Sequence, residues 1–182
     1  MSNKAVFLDR DGVINIDHGY VHKIEEFDFM PGIFEFCQHA KRLGYKLIIA
    51  TNQSGIGRGY YSENDFLKLA DWMKAQFAEN QCEIDGLYYS PYHPEKAQPP
   101  YLKKSDCRKP APGMLLQAIK DFDLKPSDCI MIGDNETDIQ ASKAAGIGRS
   151  VLLDTINKSN SGAASDADEV WQSLSEGLAK IQ

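Results

Sequence analysis

The chain lacks any apolar run approaching the roughly 18 residues that a membrane-spanning helix requires, so no such helix is expected. It also lacks basic runs. None exceeds two residues, and Lys plus Arg number 20 against 26 Asp plus Glu, a formal charge of −6. Nucleic acid is therefore not an expected partner, and an anionic ligand would have to be gripped locally. Cysteine is scarce: Cys37, Cys82, Cys107 and Cys129 are spaced by 45, 25 and 22 residues with no C-x-x-C pair. That spacing supports neither a disulfide framework nor a zinc ribbon. The apolar run before Asp9, Ala5 to Leu8, is too short for the core of a signal peptide, and the expected location is the cytoplasm.

What is present is an ordinary globular composition over 182 residues, 42% hydrophobic and 25% charged. One domain spanning 1–182 is expected. Ala5 to Leu8 reads as a short buried strand ending at Asp9 and Asp11, and residues 12–30 form an irregular excursion that could hold a small hairpin. Ile33, Phe36, Cys37, Ala40 and Leu43 recur at helical spacing before Gly44, which predicts a helix over about 32–43. Tyr45 to Ala50 is a second apolar strand, and strand, helix, strand is the βαβ unit. Ser62 and Asp65 resemble a capping box opening a helix to about Glu79. Gly86 to Ser90 is a third strand.

Six prolines between Pro91 and Pro112 predict a structured loop near 91–112 rather than a helix or central strand. A helix over Gly113 to Phe122, a strand from Asp128 into Gly133, a helix capped by Thr137 and closed by Gly146, and a strand over Ser150 to Leu153 follow. A loose connection over 157–167 and a terminal helix over 173–181 end the pattern. Five short strands alternating with helices predict an α/β fold, a Rossmann-like three-layer sandwich with a mainly parallel sheet. In such sheets ligands bind beyond the carboxyl ends of the strands.

The chemistry-bearing residues sit at those ends. Asp9 and Asp11, at i and i+2 of an extended segment, project to one side. Two close carboxylates want a cation, and all-oxygen ligation suits Mg2+. DRDG alone could also be a solvated acidic turn. Thr51, Asn52, Gln53, Ser54 and Gly55 offer hydroxyl, amide and backbone donors of the kind that cradle phosphoryl oxygens, although a strand-to-helix turn has the same composition. Arg108 and Lys109 before Pro110 suit a phosphate-binding point, and Gly133, Asp134 and Asn135, with Asp138 one turn later, add a further acidic position. The four in this order are far more specific than any one.

The strand followed by Asp9, Asp11 and Gly12, the strand-end Thr51, the Lys109-Pro110 pair and GDNETD (133–138) resemble the four motifs of the haloacid dehalogenase superfamily. DRDG-x-IN (9–15), DHGYV (17–21), TNQSGIGRG (51–59), YYSPYHP (88–94) and CRKPAPGMLL (107–116) are similar to its branch of heptose-bisphosphate and histidinol phosphatases. The resemblance implies a HAD-like fold without a large cap domain. It further implies a Mg2+-dependent phosphatase that removes the 7-phosphate of D-glycero-D-manno-heptose 1,7-bisphosphate; such a small-molecule reaction needs no obligate protein partner, so a monomer is the expectation while the oligomeric state stays open. Asp9 would be the nucleophile that becomes a phospho-aspartate, and Asp11 the general acid and then base. Thr51 and Lys109 would hold the transferring phosphoryl group. Mg2+ would lie between the Asp9 carboxylate, the Asp11 backbone carbonyl and Asp134. Substrate contacts would come from Asp17, His18, Gly19, Tyr20, Asn52, Gln53, Ser54, Arg108 and Asn135.

The sequence departs from that branch at one place. The positions of its structural zinc loop are Ser90, Tyr92, Ser105 and Cys107 here, so three of four ligands are replaced. One thiolate cannot hold tetrahedral zinc, and no zinc is expected even if His93 shifted toward the site. Other readings are hydrolysis of histidinol phosphate or a different small sugar phosphate, and a non-catalytic fold member acting as a binding protein. A dinucleotide site is disfavoured by the glycine register of Gly55, Gly57 and Gly59.

Overall fold

The computed structural model of the protein describes residues 3–156 and 165–182. Strand β1 is Ala5–Leu8, followed by helix α1 (Ile33–Arg42), β2 (Lys46–Asn52), α2 (Ser54–Arg58) and α3 (Glu63–Glu79). Then come β3 (Gly86–Ser90), α4 (Gly113–Asp121), β4 (Ile130–Gly133), α5 (Glu136–Ala144), β5 (Arg149–Leu153), β6 (Glu169–Trp171) and α6 (Leu174–Lys180). The strands form one six-stranded sheet in the order β3-β2-β1-β4-β5-β6, and every pair is parallel. β1 lies centrally because its four residues are all buried, which only a strand covered on both faces can achieve.

Alternation along the strands divides the core into two layers. Val6, Leu8, Leu47, Ile49, Ile130 and Ile132 pack with Ile33 and Phe36 of α1, Met73 and Phe77 of α3, and Leu174 of α6. Ala5, Phe7, Ile48, Ala50 and Met131 face the other way, against Met114, Leu115 and Ala118 of α4 and Ala141 of α5. This is the three-layer arrangement expected from the alternating pattern. Among the described residues no helix is long and apolar enough to cross a membrane.

Several boundaries differ from the sequence expectation for physical reasons. β2 runs on through Thr51 and Asn52, because both continue the ladder to Tyr89 and Ser90 of β3. A sixth strand, β6, appears; three residues carry too little pattern to announce it, and it is held by pairing with Val151–Leu153 and by the fully buried Trp171. α5 is capped by Asn135, not Thr137: the Asn135 side chain accepts from the Thr137 backbone N–H, and Asp138 reaches back to the Asn135 backbone. The excursion after Asp11 contains a 3-10 turn at Ile24–Glu26 and isolated bridges from Asn15 to Asp11 and Phe29. Of the loose connection expected over 157–167, residues 157–164 lie outside the described residues.

Candidate active site

The central strands β1, β2 and β4 all end at one cleft of about 470 Å3. It is lined by Asp9 and Asp11 after β1, Asn52, Gln53 and Ser54 after β2, and Asp134, Asn135 and Asp138 after β4. Asp17, Gly19, Tyr20, Tyr61, Thr137 and Lys109 complete the wall. Asp9 and Asp134 meet here although far apart in sequence, because the adjacent parallel strands β1 and β4 place their carboxyl ends side by side.

Lys109 sits at the floor with its side chain 2% exposed, its ammonium 2.9 Å from Asp9 Oδ1, 2.6 Å from Asp138 Oδ1 and 2.7 Å from the Ala50 carbonyl. Asn52 fixes the backbone that carries it: its Nδ2 donates to the Lys109 carbonyl and its Oδ1 accepts from the Lys109 N–H, both at 3.0 Å. Asp9, Asp134 and Asp138 each offer a carboxylate oxygen within 4.8 Å of the others. Two glycines permit that approach. A Cβ on Gly12, whose φ is +87°, would fall 2.1 Å from Asp134 Oδ2, and one on Gly133 would fall 2.2 Å from Asp138 Cβ.

Burial, and then Asp138, hold the Asp9 carboxyl well above the usual carboxylate range, against the pull of Lys109. Burial alone would push the Lys109 ammonium down, but Asp138 and Asp9 outweigh it and hold it above the usual lysine range. Three carboxylates and one ammonium share this small volume. Hard oxygen donors at this spacing fit a divalent cation such as Mg2+, and an all-carboxylate set argues against zinc.

Asp11 is held apart from that cluster. Its Oδ1 accepts from Arg10 Nε and Nη2, at 3.2 and 2.7 Å, and from Asn15 Nδ2 at 3.1 Å. Its Oδ2 accepts from Gln53 Nε2 at 3.1 Å. The Asp11 carboxylate is not one of the clustered acidic donors. Arg10 is 2% exposed, sandwiched between the Phe27 and Phe66 rings and donating to the Val21 carbonyl.

Other expected site residues fall in different places. Asp17, Gly19, Tyr20, Ser54 and Asn135 line the cleft. Thr51 does not; it is 1% exposed, and its hydroxyl accepts from Gln53, one hydrogen bond behind the wall. The amides of Asn52 and Gln53, expected to face substrate, are instead committed to protein partners. His18 points outward to Asp28 Oδ2 at 2.7 Å. Arg108 is half-buried outside the lining, with Nη1 donating to the Tyr92 carbonyl, beside Arg58, which covers the Tyr20 ring. At the positions matching the zinc loop, Cys107 Sγ contacts Ser105 Oγ at 3.1 Å and donates to Ser90 Oγ at 3.3 Å, a hydrogen-bonded trio. The sequence pattern offers Asp138 only as an acidic neighbour of Asp134, without a site role, and offers neither Arg10 nor Tyr61. The capping spacing from Asn135 marks Asp138, whereas nothing local marks the other two.

Residues 4–146 match the family model described as haloacid dehalogenase-like hydrolase. The chain is 55% identical over 153 residues, 84% of its length and 81% of the relative, to D-glycero-alpha-D-manno-heptose-1,7-bisphosphate 7-phosphatase of Burkholderia mallei. It is 46% identical over 173 residues, covering 95% and 94% of the two chains, to D-glycero-beta-D-manno-heptose-1,7-bisphosphate 7-phosphatase of Pasteurella multocida. Among solved structures it is similar to D,D-heptose 1.7-bisphosphate phosphatase from B. bronchiseptica complexed with magnesium and phosphate. There the TM-score is 0.85 at 25% identity, over 98% of this chain and 97% of that one.

Proposed function

The chain belongs to the haloacid dehalogenase-like hydrolases, and from that premise we propose that it is a Mg2+-dependent phosphatase that removes the 7-phosphate of D-glycero-D-manno-heptose 1,7-bisphosphate. The reaction would serve the synthesis of activated heptose for surface polysaccharide, the setting that the family resemblance implies, and the named activity of relatives 55% and 46% identical over the aligned residues supports the substrate. The observation that carries the reading is the gathering of Asp9, Asp134 and Asp138 around Lys109, with Asp11 held separately at the same cleft.

In this reading a carboxylate oxygen of Asp9 attacks phosphorus and the bond from phosphorus to the sugar oxygen breaks. Asp11 delivers its proton to that oxygen, so the sugar leaves as an alcohol. Asp11, now ionised, takes a proton from water as the water attacks the phospho-aspartate, which returns Asp9 and releases inorganic phosphate. Lys109 stabilises charge developing on the transferring oxygens through the field of an ammonium fixed at the floor, its three hydrogens held by Asp9, Asp138 and the Ala50 carbonyl. Asp9, Asp134 and Asp138 would hold Mg2+, whose charge there favours ionised Asp9 and screens it from the incoming phosphate dianion. Arg108 would meet the phosphate that stays on the sugar. One chain supplies every group named, so the protein is read as working without a partner.

The test is phosphate release from α- and β-heptose 1,7-bisphosphate, with detection of which phosphate remains. The expected product keeps the 1-phosphate. Loss of the 1-phosphate, or faster turnover of histidinol phosphate, would overturn the substrate assignment. Asp9→Asn should retain the fold and abolish turnover, since an amide is a far weaker nucleophile; residual turnover above a few per cent, with deamidation excluded, would remove Asp9 from that role.

A further inference from the structure

Gln53 is a polar residue only 2% exposed, at the mouth of a strand that ends in a reaction cleft. Its amide is fully used. Nε2 donates to Asp11 Oδ2 at 3.1 Å and to Thr51 Oγ1 at 3.0 Å, while Oε1 accepts the Tyr61 hydroxyl at 2.5 Å. An amide can present oxygen or nitrogen to a neighbour by turning over; here the acceptor-only Asp11 carboxylate takes Nε2 and the Tyr61 hydroxyl donates to Oε1, so the two together fix the orientation, since turned over Oε1 would face the carboxylate. Tyr61 is itself held. Its ring stacks on His22 at 4.9 Å with planes 8° apart, and a Cβ on Gly55 would come within 2.3 Å of it, so glycine there leaves the room it fills. Burial pushes its phenol up to about 12, so it remains a donor at neutral pH.

The consequence falls on Asp11. Its Oδ1 already accepts three hydrogen bonds, from Arg10 Nε, Arg10 Nη2 and Asn15 Nδ2. Oδ2 accepts one, from Gln53, and is the oxygen with capacity to carry a proton. We propose that Gln53, locked by Tyr61, is a positioning residue that aims Asp11 Oδ2 at the leaving oxygen of the substrate. The inference rests on the proposed role of Asp11 in proton transfer to the leaving group.

A role in general-acid catalysis has a signature that a structural role lacks. An alkyl ester such as a sugar phosphate needs its leaving oxygen protonated, whereas p-nitrophenyl phosphate releases a stabilised anion that does not. The experiment measures kcat/KM for wild type, Gln53→Met, Tyr61→Phe and the double variant on heptose 1,7-bisphosphate and p-nitrophenyl phosphate, with saturating Mg2+. Gln53→Met should lose about tenfold more on the alkyl ester than on the aryl ester, the worth of one hydrogen bond to a charged group. Tyr61→Phe should fall in the same direction by a smaller factor, and the double variant should match Gln53→Met, because Tyr61 acts through Gln53. Equal losses on both esters, or losses from the two residues that multiply, would overturn the inference while leaving the phosphatase reading intact. A wild-type protein that hydrolyses neither ester would overturn that reading and the inference with it.

Discussion

Lys109 is the residue on which the site's charge balance turns. It is an almost fully buried ammonium shared by Asp9 and Asp138 at 2.9 and 2.6 Å. Removing one partner of such a cluster leaves uncompensated buried charge, which costs on the order of 3–5 kcal/mol. Lys109→Met should therefore unfold at markedly lower urea than wild type without metal, and Mg2+ should recover more stability in the variant than in wild type. Equal stabilisation of both by Mg2+ would show that the ammonium and the cation do not share the same carboxylates. The neighbouring side chain goes elsewhere: Arg108 reaches the Tyr92 carbonyl rather than Asp9. If it grips the phosphate that is not transferred, Arg108→Ala raises KM for the bisphosphate with a smaller fall in kcat. The loss in kcat/KM is roughly tenfold to a hundredfold, from a charge-assisted contact of about 1.5–3 kcal/mol. A monophosphate lacking the distal group should be hardly affected, and steady-state kinetics on both substrates is the measurement.

Among the elements, β6 is the shortest strand, and the residue before it ties this edge of the sheet to β5 and α5. Asp168 Oδ2 accepts from the backbone N–H and the hydroxyl of Ser150 in β5, and Oδ1 pairs with Lys143 of α5. The hydrogen bond from Lys143, then those from Ser150, hold its carboxyl down at about 2, below the ordinary 3.8. A depressed carboxylate stabilises the fold above its unfolded value, and that contribution is lost as pH falls through the folded value. The stability gap between wild type and Asp168→Asn should be constant from neutral pH down to about pH 5, narrow below 3.8 and close near 2. The gap is modest because the pair is partly solvent-exposed. Urea unfolding at a series of pH values checks it; a gap unchanged at the acid end would mean that Asp168 acts through shape rather than charge.

At the scale of the whole molecule, the loop matching the zinc loop of the resembled branch has side-chain hydrogen bonds at three of its four ligand positions. The proline-rich loop that carries Arg108 is held by the Ser90, Ser105 and Cys107 hydrogen bonds, and by Tyr101, whose hydroxyl donates to Glu63 of α3. Purified protein should contain zinc at well below one equivalent, and a zinc-selective chelator should leave turnover unchanged. Stripping all divalent ions should abolish turnover, with Mg2+ restoring it, because the hard carboxylate set is intact while the thiolate and imidazole set is replaced. Elemental analysis with activity assays reads both; stoichiometric, tightly bound zinc would place Cys107 and His93 first among ligands to examine.

Much of this was legible along the chain. Buried parallel strands are continuous apolar runs, and the residues that stop those runs stand at the carboxyl end of the sheet, so Asp9, Asp11, Asn52, Ser54 and Asp134 could be assigned to one cleft from local pattern alone. Short elements without a local pattern could not. α2 contains two glycines and has little propensity of its own; it forms where the Tyr61 ring and the Pro91 carbonyl press against Gly55 and Gly57. The use each polar side chain makes of its hydrogen-bonding groups was decided only in three dimensions. The sequence puts Asn52 and Gln53 beside the reacting centre, but their amides turn to Lys109 and to Asp11, Thr51 and Tyr61, partners brought close by loops up to 57 residues away. A buried amide must satisfy its donors and acceptor with whatever the packed chain supplies. Where each strand lies along the chain is written in local hydrophobic pattern, whereas that satisfaction is written only in the closed fold.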